Sequence, residues 1–273
     1  MTTHQGKSEK LIGILDSQNL VSYALPLDGQ LINLNNLIGQ KITLEHLGII
    51  HCVACHRLIN KAFQQGYCFP CTQKLAQCDL CIVRPERCHF HLGTCREPAW
   101  GQANCLQEHV VYLANSSGLK VGITRQKNIL NKSRWIDQGA TQALPILKVS
   151  SRRLSGLVEI ILAQYVADKT NWRKMLKGEA EKINLPVLRD ELFEQANPEL
   201  EKLEIGFLDF LDSEEVLINY PVIKYPEKIS SLSLDKTNLI EGVLMGVKGQ
   251  YLIFESGVIN ARNFAGYQIK LST

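Results

Sequence analysis

Between residues 10 and 50 short apolar runs alternate with turn-forming residues: KLIGILD, VSYALPLDGQ with its Asp-Gly, LINLNNLIGQ with its Gly, and KITLEHLGII. Apolar runs bounded by Gly, Asn and Asp in this way predict short antiparallel strands. The same pattern returns at the far end, in LIEGVLMGVKGQ, YLIFESG and VINARNFAGYQIKL, with Lys-Gly and Ser-Gly as turns. Neither end alone carries enough strands to close a sheet, so the two ends are expected to pair into one small barrel with everything else inserted between them.

Three regions lie between. Residues 51–106 are too broken by Gly, Pro and Cys to form long elements. From 109 to about 177 the pattern gives two strands, a loop, a strand over LPILKVS and a helix beginning near Arg152. The stretch 186–217 opens with LPVLRDELFEQ, helical in period, its acids opposite Leu188, Leu192 and Phe193. The expected fold class is α+β. Its parts are an N-terminal β segment (1–50), a metal-stapled cysteine-rich module (51–108), a small α/β domain (109–180), an acidic helical or linker region (181–235) and a C-terminal β segment (236–273).

At 273 residues, 45% hydrophobic and 21% charged, the chain has the composition of a soluble globular protein that can bury real cores. The start shows no signal-like apolar stretch, and nowhere do about eighteen apolar residues run together. The expected location is cytoplasmic, without membrane contact. All nine cysteines lie between Cys52 and Cys105, an odd number in a chain with no export signal, which favours metal over a disulfide framework.

Charge is uneven. Lys120, Arg125, Lys127, Lys132, Arg134, Lys148, Arg152 and Arg153 face the single acid Asp137, whereas residues 189–215 hold ten acids against Arg189 and Lys202. A polyanion is attracted to the first stretch and repelled by the second.

Cys52-x-x-Cys55 is followed by Cys68-x-x-Cys71. Each CxxC turn lets two thiolates reach one ion, so two such knuckles complete a closed tetrahedral zinc site, with no open position for a catalytic water. The next stretch, CDLCIVRPERCHFHLGTC, predicts a second site with Cys78 and Cys81 as one knuckle and Cys88 and Cys95 as further ligands, although His89, His91 and Cys105 compete for those places. An iron–sulfur cluster uses thiolates too, and spacing does not separate it from zinc. Metal here replaces a core that so short and loop-rich a segment does not build alone.

Val110–Leu113 and Leu119–Ile123 can pair through ANSSG, which brings Tyr112 beside Gly122. Here the sequence resembles the GIY-YIG nuclease superfamily: VVY is similar to its first half-motif, and KVG to the second in the branch named after a phage T5 open reading frame. Arg134 matches that fold's helical arginine, Gln138 falls where a His or Tyr is common, and Glu159 matches the acidic residue of the next helix. The resemblance implies a phosphodiesterase site in which Tyr112 and a water help deprotonate the nucleophile. Arg134 would stabilise phosphate charge and Glu159 would hold one Mg²⁺ or Mn²⁺. Val121 stands where the second tyrosine usually does, and Gln138 cannot work as an acid or base near neutral pH. Asn171 occupies the place of an asparagine that ends the fold in some members.

The residues support the same chemistry independently, since phosphodiester cleavage needs a guanidinium where charge builds up and a hard carboxylate for a divalent cation. Glu159 shares a helical face with Ser155, Gly156 and Ala163, small residues expected to open onto a cleft. The whole chain, with GYCFPC, CREPAWG, RWIDQGATQALPI and VADKTNWRKMLKG, also resembles a bacterial family known only as a domain of unknown function.

The expected function is therefore a zinc-containing nucleic-acid-binding protein with a GIY-YIG-like core, acting on DNA or RNA as a divalent-metal-dependent endonuclease. The alternatives are a binder on the same scaffold that does not cut, and a structural protein whose acidic 189–215 stretch meets a basic partner. Lys120, Arg125 and Arg134 are the expected nucleic-acid contacts. Trp100, Trp135 and Trp172 are candidates for stacking on bases.

Overall fold

A computed structural model of the chain describes residues 2–166, 171–203 and 208–273. The N-terminal alternation forms β1 (Thr3–Lys7), β2 (Ile12–Leu15), β3 (Val21–Leu27), β4 (Gln30–Asn33) and the long β5 (Lys41–His51), with the short β6 (Leu58–Ile59) after it. The cysteine-rich stretch carries two short helices, α1 (Phe69–Lys74) and α2 (Pro98–Cys105), separated by 3-10 turns. Both begin with a proline in the first two positions, where its missing N–H costs nothing. Next come β7 (His109–Asn115), β8 (Leu119–Arg125), α3 (Lys127–Leu130), α4 (Ser133–Asp137), β9 (Gln142–Val149) and α5 (Arg152–Ala163). They are followed by α6 (Trp172–Met175), α7 (Leu185–Leu200), β10 (Leu208–Phe210), β11 (Val216–Leu217), β12 (Leu239–Lys248), β13 (Tyr251–Phe254), β14 (Gly257–Asn260) and β15 (Tyr267–Ser272). No helix among the described residues is long and apolar enough to cross a membrane.

Strands from the two ends of the chain share one antiparallel sheet, in the order β1-β15-β5-β12-β13-β14, with β6 against β5. Lys270 of β15 lies opposite both Gln5 and Glu45. This sheet is open, not the closed barrel expected from the sequence. Its β14 edge is taken by the main chain of Ser230–Leu232, which exchanges hydrogen bonds of 2.8 Å with Val258 and leaves no free edge for β1. Strands β2, β3 and β4 depart to form a separate three-stranded sheet.

The inserted residues build a third antiparallel sheet, β10-β9-β7-β8, with β11 also on β9. Period-two alternation gives it two apolar faces. Val111, Leu113, Val121, Leu144 and Ile146 pack with Leu154, Val158 and Leu162 of α5 and with Leu185, Leu192 and Ala196 of α7. Tyr112, Ala114 and Ala143 join Trp135 and Ile136 of α4 in the core that the terminal strands also fill, with Tyr23, Leu244, Leu252 and Phe254. Tyr112 and Val111 face Pro145 and Leu147 of β9 across a bulge. The extra residue falls next to a proline, which has no N–H to give to a ladder.

Candidate functional site

The two CxxC turns meet. Cys52 follows the last residue of β5, and β6 returns to pair with Ile50 and His51, so Cys52–Cys55 forms the knuckle of a hairpin. Cys68 occupies the residue just before α1 and Cys71 lies in its first turn. The four sulfurs lie within 4.8 Å of one another, with Cys55 and Cys68 3.7 Å apart. Tetrahedral zinc at a Zn–S distance of about 2.3 Å sets its ligands roughly 3.8 Å apart, so the cluster is positioned to take a metal ion and is compatible with structural zinc. The Cys68 N–H donates to Cys52 Sγ at 3.2 Å, and Arg57 Nε to Cys55 Sγ at 3.2 Å. The Arg57 main-chain N–H draws the Cys55 thiol down to about 6, while sharing with Cys68 pushes Cys71 up to about 12. Sulfurs this close all become thiolates only when a cation holds them.

Cys78 and Cys81, the expected second knuckle, have different surroundings. Each lies in its own 3-10 turn, Ala76–Cys78 and Leu80–Ile82. Cys78 is buried beside Arg96, Cys52, Glu97 and Cys68, so it backs onto the first cluster. Cys81 opens into a second cavity with Cys88, Cys95, Cys105 and His89. Asp79, Cys81 and His89 bring one ligand atom each within 4.8 Å. Asp79 is already engaged, accepting from Cys81 N at 3.1 Å and pairing with Arg96 Nε at 2.6 Å. His91 is exposed.

Tyr112, Arg134 and Glu159 are brought together from β7, α4 and α5. Tyr112 pairs with Gly122 across the hairpin, and its ring lies where a Gly122 Cβ would be, 2.6 Å from ring carbon Cζ. It is wholly buried, edge-on to Trp135 with ring centroids 5.9 Å apart. Its hydroxyl donates to Gln138 Oε1 at 3.3 Å and lies against Arg134. Burial pushes its phenol above the ordinary value, against the pull of Arg134. The Gln138 Nε2 donor is buried without a hydrogen-bond partner among the described residues. Arg134 is exposed. Glu159 is half-buried, and desolvation raises its carboxyl while Arg134 and Lys120 pull it back.

Two partnerships anchor this cluster. Asp137, at the end of α4, accepts from Lys10 Nζ at 2.8 Å and Gln250 Nε2 at 2.9 Å, which ties the helix carrying Arg134 to both terminal segments. Ser151 caps α5 by accepting from Leu154 N at 3.3 Å. The small-residue face of α5 does not open onto a cleft, because Gly156 packs directly under Pro85 and Glu86 of the cysteine-rich module. Only a glycine lets a turn approach a helix so closely.

The other candidates are placed elsewhere or spoken for. Arg125 donates to Asn104 at 2.6 Å. Asn171 caps α6, accepting from Arg173 N at 3.0 Å. Trp135 is core, and Trp172 stacks on Tyr251 at 5.4 Å. Sequence reading missed Glu86, the acid nearest in effect to Glu159, and the buried network in which Asn115 Nδ2 donates to Gln142 Oε1 at 2.8 Å and Gln142 Nε2 donates to Glu215. Nothing in a local motif signals either, since the partners come from distant segments.

Residues 39–269 match a family model described as protein of unknown function (DUF2797). No curated protein and no solved structure matches the chain.

Proposed function

We propose that this chain, which belongs to the family described as protein of unknown function (DUF2797), is a zinc-containing protein that binds the phosphodiester backbone of nucleic acid through a GIY-YIG-like core. The observation that carries this reading is the meeting of Arg134 with Tyr112, Gln138 and Glu159, residues from three elements that also match that superfamily's pattern. An exposed guanidinium steadied by a buried phenol is a pre-set fork for a phosphate. The basic stretch 120–153 supplies the long-range attraction. The Cys52, Cys55, Cys68 and Cys71 cluster is the zinc site in this reading, closed and structural.

A second reading, hydrolysis, is favoured by Glu159. A half-buried carboxylate repels phosphate unless a divalent cation bridges the two, and one carboxylate with substrate oxygens is a usual way to hold Mg²⁺. In that case Glu159 holds Mg²⁺ or Mn²⁺ and Arg134 meets the charge that develops on the phosphate. Tyr112, bonded to Gln138 and sealed from solvent, positions Arg134. Gln138 and Val121, which offer no acid or base, support binding over cutting.

The test is one assay on zinc-replete protein with Mg²⁺ or Mn²⁺, offering labelled single-stranded, duplex and branched DNA and RNA, beside Arg134→Ala and Glu159→Ala. Binding weakened by Arg134→Ala but kept in Glu159→Ala, with no cleavage, is the expected result. Cleavage lost in both variants establishes the nuclease. No binding to any of the probes refutes both readings.

A further inference from the structure

Five cysteines remain after the first cluster, and four of them line one cavity. Cys81 is 9% exposed, Cys88 6% and Cys105 4%, and Cys95 is half-buried beside them. They come from four separate places: the 3-10 turn Leu80–Ile82, the end of the Pro85–Arg87 turn, the loop before α2, and the last residue of α2. Their sulfurs line the cavity without all lying within 4.8 Å of one another, and Gly101 lets Cys95 reach α2. A Cβ there would stand 3.0 Å from Cys95 Sγ, and Cys105 follows on the same face of α2 one turn later.

The polar neighbours match a bound thiolate centre. A divalent cation with four thiolates carries a net negative charge, which burial penalises unless cations stand by. Arg152 has Cys105 and Cys81 as its electrostatic partners and donates to the Ile82 carbonyl at 2.5 Å, and Arg125 also faces Cys105. The rival donors Asp79 and His89 line the same cavity but are engaged with other groups. Asp79 is paired with Arg96 at 2.6 Å, and His89 Nδ1 meets Thr94 Oγ1 at 2.7 Å. Among the described residues the competing contact of the four sulfurs, Cys95 Sγ to the Glu97 carbonyl at 3.6 Å, is a weak thiol bond that a metal displaces.

We propose that Cys81, Cys88, Cys95 and Cys105 form a second metal centre, a closed four-thiolate site for zinc or another soft divalent cation. Cys78 takes no part in it and is the one cysteine free of metal. The centre closes the module whose Pro85–Glu86 turn rests on Gly156 of α5, so it fixes the helix that carries Glu159.

Elemental analysis of the full-length protein, purified in reductant, tests the ligand set. Two zinc ions per chain are expected in the wild type and in Cys78→Ser, and one in Cys88→Ser and Cys105→Ser. One zinc in the wild type, two retained in Cys105→Ser, or a loss in Cys78→Ser overturns the assignment. Should the Cys105 variant fail to fold, wild-type protein produced with cobalt decides the number. Two cobalt ions per chain, both contributing thiolate charge-transfer absorbance, support the second centre, and one cobalt refutes it. These readouts count metal and stand whether or not the chain binds nucleic acid.

Discussion

Gly122 and Tyr112 occupy one space, and the sheet depends on the glycine having no side chain. A methyl at Gly122 would lie 2.6 Å from the Tyr112 hydroxyl, so Gly122→Ala must drive the ring off Gln138. Forced repacking of this kind costs about 1–3 kcal/mol, read as a lower melting temperature, and an unchanged melt would show that the ring is not fixed there. His109 offers a pH test. Burial depresses its pKa to about 4, and its Nδ1 sits 2.7 Å from the Gln107 carbonyl, the contact of a neutral ring whose N–H donates. The unfolded chain protonates near pH 6.5, so this histidine's stabilising contribution is full above that and lost as pH falls from about 6.5 to about 4, by at most about 3 kcal/mol. His109→Gln should reduce the loss of urea stability between pH 7 and pH 5, and an identical loss in the variant contradicts the assignment. The Tyr112–Gly122 pairing was legible in the hairpin sequence because turn length sets register. The burial of His109 was not, since a lone histidine after a cysteine block carries no period.

At the scale of elements, the first cysteine cluster was legible and the cavity shared by Cys81, Cys88, Cys95 and Cys105 only in part, for a geometric reason. Cys52 and Cys55, like Cys68 and Cys71, are close enough in sequence to share a turn, so local spacing fixes half a site. Cys81, Cys88, Cys95 and Cys105 share no turn, and their lining of one cavity depends on how α2 and the 3-10 turns stack. The nearby CxxC pair Cys78 and Cys81 reads as a knuckle from spacing alone, whereas the structure gives the two residues different neighbours. Cys52→Ser is expected to abolish zinc at the first cluster and unfold the Cys52–Lys74 region, seen as loss of hydrogen-exchange protection there. Full zinc content with unchanged protection would refute the site. Helix α5 illustrates the same limit. Its start near Arg152 and its apolar face could be read from periodicity, but its small-residue face reads as a cleft until the Pro85–Glu86 turn is seen to cover it.

Across the whole molecule, the alternating patterns at the two ends were enough to expect that they pair. That the sheet stays open was not foreseeable, because the segment covering β14 has no strand pattern of its own. Since β15 lies between β1 and β5, removing Tyr267–Ser272 strips partners from both ends at once. The expected outcome is loss of the cooperative thermal transition, whereas a truncated chain that melts like the full one would mean the terminal sheet is dispensable. The uneven charge belongs to this scale too, and it bears on the central claim, that Arg134 sits at a nucleic-acid backbone site. The most direct measurement is the affinity of wild type and Arg134→Ala for one labelled oligonucleotide over a series of salt concentrations. Log affinity is expected to fall linearly with log salt, and the variant to bind more weakly with a slope shallower by about one phosphate contact. Binding insensitive to salt, or a variant with the wild-type affinity and slope, would contradict that claim.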